Sequence, residues 1–479
     1  MKLFNFLLFL LFSNFLLAQV GVGNTNPDAS SILDITSTTK GMLAPRMTTL
    51  QREAITTPAD GLLVYDTDES SFYFYKASNW VIINSDLQNV ERDNYKLVKS
   101  AADLADELVA GGGTTYELDT NTYYEINGTV VLSFPIDLNN AYISGLDANE
   151  DVLFQPTGTI FSGTTGGSIR NLTLVSSASK IFDITAAATE TLVFQNSIIA
   201  NSAEVGDLEG FGVVFCNIIN IVNNSDGIVF TDIDNLLLSN LAWFESNSGT
   251  FETYIGNFDL IEKISGFFKV PAGATGIDVS NNPSVGFGSI VGTPFSGLGT
   301  FIDGYTVGSY SGYDFSNDWN INSPGIRIEN DNSASADFYY TGAVTTGFTQ
   351  TITNGTAQNI EGGGTFSGNN LFRFTAPAPG NRLTYDGIEQ RQFQVNASLS
   401  IRVLSATSDF YGFLIAKNGT VITESNSVIF IDSDSQIQNV AINAIANLEK
   451  GDYIEVFVQR LTGTGSDTLV VFSENLSIN

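Results

Sequence analysis

The chain has 479 residues, with 51 acidic against 20 basic side chains, no histidine and a net charge of −31. Nucleic-acid binding needs a basic face and is excluded; the missing histidine removes Ser-His-Asp and Cys-His catalysis, imidazole acid–base chemistry and His-based zinc sites. Charged residues make up only 15% while aromatics reach 11%, a balance that builds a turn-rich, all-β protein with a core rather than a disordered chain.

Taken in order, Met1-Lys2 and the apolar run Leu3 to Leu17 form a secretory signal peptide, residues 1–18, cut between Ala18 and Gln19. The run is too short for stable membrane insertion, so the mature chain leaves the cytoplasm. Residues 19–85 form a small module. Thr48 to Ala54 predicts a short helix, and the flanks of Asp66 to Ser70 a hairpin. Its motifs run Gly21-Val-Gly-Asn-Thr-Asn-Pro27-Asp-Ala-Ser30, Lys40-Gly-Met-Leu-Ala-Pro-Arg46-Met-Thr48, Gly61-Leu-Leu-Val-Tyr-Asp-Thr67 and Asn79-Trp80. This series resembles an N-terminal module of secreted bacterial surface proteins and phage tail fibres. The resemblance implies an attachment or stalk piece and no particular activity.

Residues 94–320 open with an amphipathic helix, Ala101 to Ala110, whose apolar face carries Leu104, Leu108 and Val109 before Gly111-Gly-Gly113 stops it. Apolar β-rich runs then return every twenty-odd residues, most clearly around Asn196, Asn217 and Asn240, spaced 21 and 23 residues apart. Weaker copies surround Asn171, Asn257 and Asn281. Such a period predicts a solenoid, read as a right-handed parallel β-helix whose coils bury apolar side chains only by stacking. A β-sandwich is the rival reading, but its strands recur every 8–12 residues. Asn196, Asn217 and Asn240 are expected at one turn of successive coils, in the left-handed conformation, hydrogen-bonded in a ladder. The helix would cap the open end. Helix, glycine turn and Tyr116 to Tyr124 together resemble the opening of pectin-lyase-like tailspike folds.

Residues 321–380 read as a β-rich connector, and 381–479 as a C-terminal β-sandwich. Asn418-Gly419 sits between two apolar runs as a tight hairpin turn. Leu448-Glu-Lys-Gly-Asp-Tyr-Ile-Glu-Val456 and the last run from Thr468 to Ile478 resemble the complement-globular-head and tumour-necrosis-factor-like jelly roll. That resemblance implies a homotrimer.

Cys216 lies in an apolar run and is expected to be a buried small hydrophobe. No catalytic residue is assigned. Asp232 and Asp234, which would share a face if they lay on one strand, are the alternative for a β-helix polysaccharide depolymerase working through carboxylates. Glu245 with Glu252, and the group Asp303, Asp314 and Asp318, are further acids. No cofactor or protein metal site is expected; a loose calcium ion is the one ion such acids would hold. For binding, Trp243, Tyr254, Tyr305, Tyr310, Tyr313 and Trp319 are the aromatics able to stack on sugar faces, core packing being the competing role for each. The expected function is non-enzymatic attachment: a tail-fibre or tailspike-like protein, or surface adhesin, secreted or virion-borne, that recognises a host receptor, most simply a glycan. A depolymerase and a structural spacer are the alternatives.

Overall fold

The computed structural model describes residues 19–83, 94–376, 381–404 and 408–479. The expected signal peptide lies outside them. The chain divides into two compact units, Met1–Asp93 and Asn94–Asn479.

In the first unit, Arg46–Met47, Leu63–Asp66, Ser71–Lys76 and Asn79–Ile83 form a four-stranded sheet. Helix Thr49–Glu53 starts at a capping box, in which the Thr48 hydroxyl accepts from the Gln51 amide and the Gln51 side chain from the Thr48 amide. The helix brings buried Arg52 to buried Asp66, 2.8 Å from Nε to Oδ2, and lays its guanidinium 3.9 Å from the Tyr73 ring centre. A core this small gains its order from one such polar staple.

The second unit begins with a parallel β-solenoid of about nine turns, from strand Tyr95–Val98 to strand Trp319–Asn322. Each coil has three faces. Face one and face two meet at a corner, and in the central coils a single strand runs through it: Thr191–Ala200, Val213–Val222 and Asn235–Trp243. Face three is the nine-stranded sheet containing Lys180–Thr185, Glu204–Glu209 and Ile228–Thr231. Alternation along each strand sends Leu192, Phe194, Val214, Cys216, Leu236 and Leu238 into one continuous core.

The asparagine ladder is shifted from the expected one. Gln195, Asn217 and Ser239 are register partners, so the stacked corner residues are Asn196, Ile218 and Asn240. These three have positive φ (51°, 57° and 54°), and Asn217 does not. Asn217 is therefore one residue early, and its side chain only receives a 3.5 Å contact from Asn240 Nδ2. The buried polar ladder lies six or seven residues further on. The Ser176 amide donates to Ser202 Oγ (2.9 Å), the Ser202 amide to Asn224 Oδ1 (2.9 Å), and the Asn224 amide to Asn247 Oδ1 (3.0 Å). Each coil thus satisfies a turn amide of its neighbour that burial would orphan.

The cap is a 3₁₀ turn, Ala101–Leu104, followed by helix Ala105–Ala110. Leu104 is buried and Leu108 packs on the core, but Val109 is 79% exposed. Glu107 takes the inner position instead, paired with Lys96 at 2.6 Å and accepting from the Tyr124 hydroxyl at 2.9 Å.

Two antiparallel sheets complete the unit as a sandwich. The expected connector belongs to it. Ser335–Tyr340 and Phe348–Thr353 pair with Ser466–Ile478, and Ala357–Asn359 pairs with Tyr453–Arg460. Their partners lie about a hundred residues away or further, which local pattern cannot register. At the Asp409–Lys417 hairpin, Asn418 and Gly419 both have positive φ, as a two-residue turn requires.

Candidate ligand-binding groove

Of the six aromatics expected to bind sugar, four are core residues. Trp243 and Tyr254 are fully buried, Trp319 is 1% exposed and Tyr305 9%. Each turns its polar tip to a partner inside. Trp243 Nε1 and the Tyr254 hydroxyl donate to the two oxygens of Glu252 at 2.9 and 2.7 Å. Trp319 Nε1 donates to the Tyr305 hydroxyl at 2.9 Å, and that hydroxyl donates to Pro283 O. No external sugar reaches these rings.

Glu252 is the centre of a buried cluster. Lys263 Nζ lies 2.8 Å from its Oε1 and 4.5 Å from the centre of the Phe268 ring, and both charged side chains are at most 1% exposed. Burial lowers the Lys263 pKa and raises that of Tyr254. With its oxygens occupied and no solvent path, this carboxylate holds coils together. Asp232 and Asp234 do not form an acid pair on a strand. They flank buried Ile233 in the turn between strands Ile228–Thr231 and Asn235–Trp243. Asp232 has φ +49° and accepts from the backbone and side-chain nitrogens of Asn257 at 2.8 and 3.0 Å, tying one coil to the next. Glu245 pairs with Lys269 at 2.6 Å on the surface. No group of three or more acid or cysteine ligands that could hold a metal ion occurs among the described residues.

Tyr310 and Tyr313 come together where the last coils meet the sandwich. They line an open groove of about 850 Å³ with Ser309, Arg327, Asn369 and Asn370. Tyr313 stacks on Phe372 of the sandwich, rings 4.0 Å apart and inclined 12°, while the exposed Arg327 guanidinium lies 4.7 Å from its centre. Tyr310 turns its hydroxyl to Asp386 Oδ2 at 3.3 Å, and burial pushes its pKa up to about 12. Arg327 and the two asparagines were not legible as site residues, because the sandwich strand that carries Asn369 and Asn370 meets Arg327 only after folding.

A buried polar network ties the last coils to the sandwich next to the groove. Buried Arg373, at φ +58°, donates to Asn317 Oδ1 (2.9 Å) and Trp319 O (2.6 Å) of the solenoid and pairs with Asp331 at 3.1 Å. Asp331 Oδ2 in turn accepts the Ile388 and Glu389 amides, each at 2.7 Å. Glu329 accepts the Asp314 and Phe315 amides at 2.9 and 3.0 Å, yet burial outweighs them and raises its pKa to about 7.

Residues 21–96 match the family model described as phage tail like trimerisation region. That match and the β-solenoid fit a tail-fibre-like structural protein. No curated protein matches the chain. Solved structures similar to part of it include the PRD1 vertex protein P5 (10% identity, TM-score 0.22, covering 30% of this chain and 95% of that one). Eiger TNF from S. frugiperda (8%, 0.21, 30% and 92%) and murine APRIL (7%, 0.19, 30% and 98%) are others. Scores this low carry no argument about the sandwich. Among the described residues no helix is long and apolar enough to cross a membrane.

Proposed function

We propose that the protein is a homotrimeric attachment fibre of a phage-tail-like particle or cell surface, and that it binds a surface glycan in the groove at the solenoid–sandwich joint. The match of residues 21–96 to a phage tail like trimerisation region carries the fibre reading. The groove supports the ligand class: half-buried tyrosines, a guanidinium and side-chain amides are the mixture that holds sugar rings and their hydroxyls. Arg327 would grip a carboxylate or paired hydroxyls through its forked donors. Its positive charge suits an acidic or neutral sugar in a protein whose own surface is strongly negative. Three of the candidate acids have other duties that favour binding over hydrolysis: Asp232 ties one coil to the next, Glu245 pairs with Lys269, and Glu252 is buried with Lys263.

The test incubates the mature chain, residues 19–479, with host cells and their purified surface polysaccharide, following retention and new sugar ends together. Retention without new ends, reduced about tenfold or more by Arg327→Ala (the loss of about 1.4 kcal/mol), is expected. Retention untouched by Arg327→Ala and Tyr313→Ala would overturn the groove. Steady release of new ends would make the protein a depolymerase.

A further inference from the structure

The solenoid's three faces differ in charge. Face three presents a register-matched column containing Glu117, Asp137, Asp183, Asp207, Asp278 and Asp303. The three strands that run through the corner of faces one and two, Thr191–Ala200, Val213–Val222 and Asn235–Trp243, contain no charged residue at all. Their outward side chains include Val193, Phe215 and Leu237 on face one. On face two the outward column Val131, Phe154, Val175, Ala200, Val222 and Phe244 is apolar through six coils. In a chain of net charge −31, the central coils thus carry an uncharged wedge of two surfaces joined at one edge, bounded by Arg170 and Glu262 on face one and by Lys269 on face two.

The edge carries a second, independent sign. Its neighbours in the central coils are Asn196 and Asn240, which tolerate positive φ, but between them stands Ile218 at φ +57° and 49% exposed. A β-branched residue in the left-handed region is strained, and an exposed one gains nothing in return. Burial against an apolar partner would supply that return.

We propose that this wedge is where copies of the chain pack along their solenoids, face one of each against face two of the next, with the Ile218 side chains meeting at the threefold axis. The proposal rests on the homotrimer reading and adds to it the surface used. Three arguments select a second copy as the occupant. The family match ends at residue 96, inside the first solenoid strand Tyr95–Val98, so in sequence the region matched to trimerisation runs directly into the first coil. Face three would bring like charges together, whereas the wedge brings none. A threefold contact is heterologous, so two unlike faces on one wedge are what it requires.

The test uses the full mature chain. Its mass is measured by light scattering, and Ile218→Cys and Asp183→Cys variants are treated with a short bismaleimide, wild type with its buried Cys216 serving as control. A trimer by mass, with covalent dimers from Ile218→Cys and none from Asp183→Cys, is expected. A trimer that gives no product at Ile218→Cys, or equal product at Asp183→Cys, overturns the wedge and leaves that face to a different partner. A monomer by mass overturns the trimer reading itself. Ile218→Asn gives a second readout. It relieves the backbone strain, so it raises the melting temperature if the edge is solvated and lowers it if Ile218 is buried between copies; a rise refutes the proposal.

Discussion

Replacing Lys263 with methionine tests whether the solenoid core depends on its buried ion pair. Met keeps most of the side-chain volume and its contact with Phe268, while removing the charge 2.8 Å from Glu252 Oε1. The carboxylate keeps two neutral donors, Trp243 Nε1 and the Tyr254 hydroxyl, which cannot balance a full charge at zero exposure. Breaking a buried pair on one side costs about 3–5 kcal/mol. The double variant Glu252→Gln/Lys263→Met keeps an acceptor oxygen for Trp243 Nε1, places an amide nitrogen that can donate to the Tyr254 hydroxyl, and leaves no charge; it should cost no more than about 1–2 kcal/mol. Urea midpoints of the wild type, both single variants and the double variant at neutral pH measure the coupling. A Lys263→Met penalty below about 1 kcal/mol, or a double variant as unstable as the singles combined, would refute the reasoning.

Asn224→Leu orphans the Ser202 amide and the Ile199 carbonyl that Asn224 now satisfies, and should lower stability by about 2–4 kcal/mol in the same assay. Asn217→Leu, on the outward side and off the corner, should stay within about 0.5 kcal/mol. Glu329 has its folded pKa raised by burial to about 7 from 4.5, so its proton-linked stabilisation is full below pH 4.5 and is lost as pH rises through 7. The loss amounts to about 3 kcal/mol, and Glu329→Gln should flatten that part of the melting profile between pH 4.5 and 7.5.

Local pattern determined a good deal of this protein. The twenty-odd-residue recurrence of apolar runs defined the solenoid because each coil repeats one burial pattern. Asn418-Gly419 fixed a hairpin because both of its residues must take positive φ. The motifs of residues 19–85 resemble a tail-fibre module, and residues 21–96 match a phage tail like trimerisation region. Tertiary structure alone decided the rest. Which asparagine occupied the corner depended on register, and a shift of one residue handed that place to Ile218. Which aromatics stayed outside depended on where buried acceptors such as Glu252 and Pro283 O lay. The supposed connector became sandwich, since its strands pair with residues about a hundred positions on or further. The groove exists only because Arg327, Tyr313 and Asn370 converge from separate elements. Repetition makes the solenoid local, so its presence can be read along the chain. A register, a partner for a buried polar tip and a surface shared by two elements are relations between distant residues, and folding settles them.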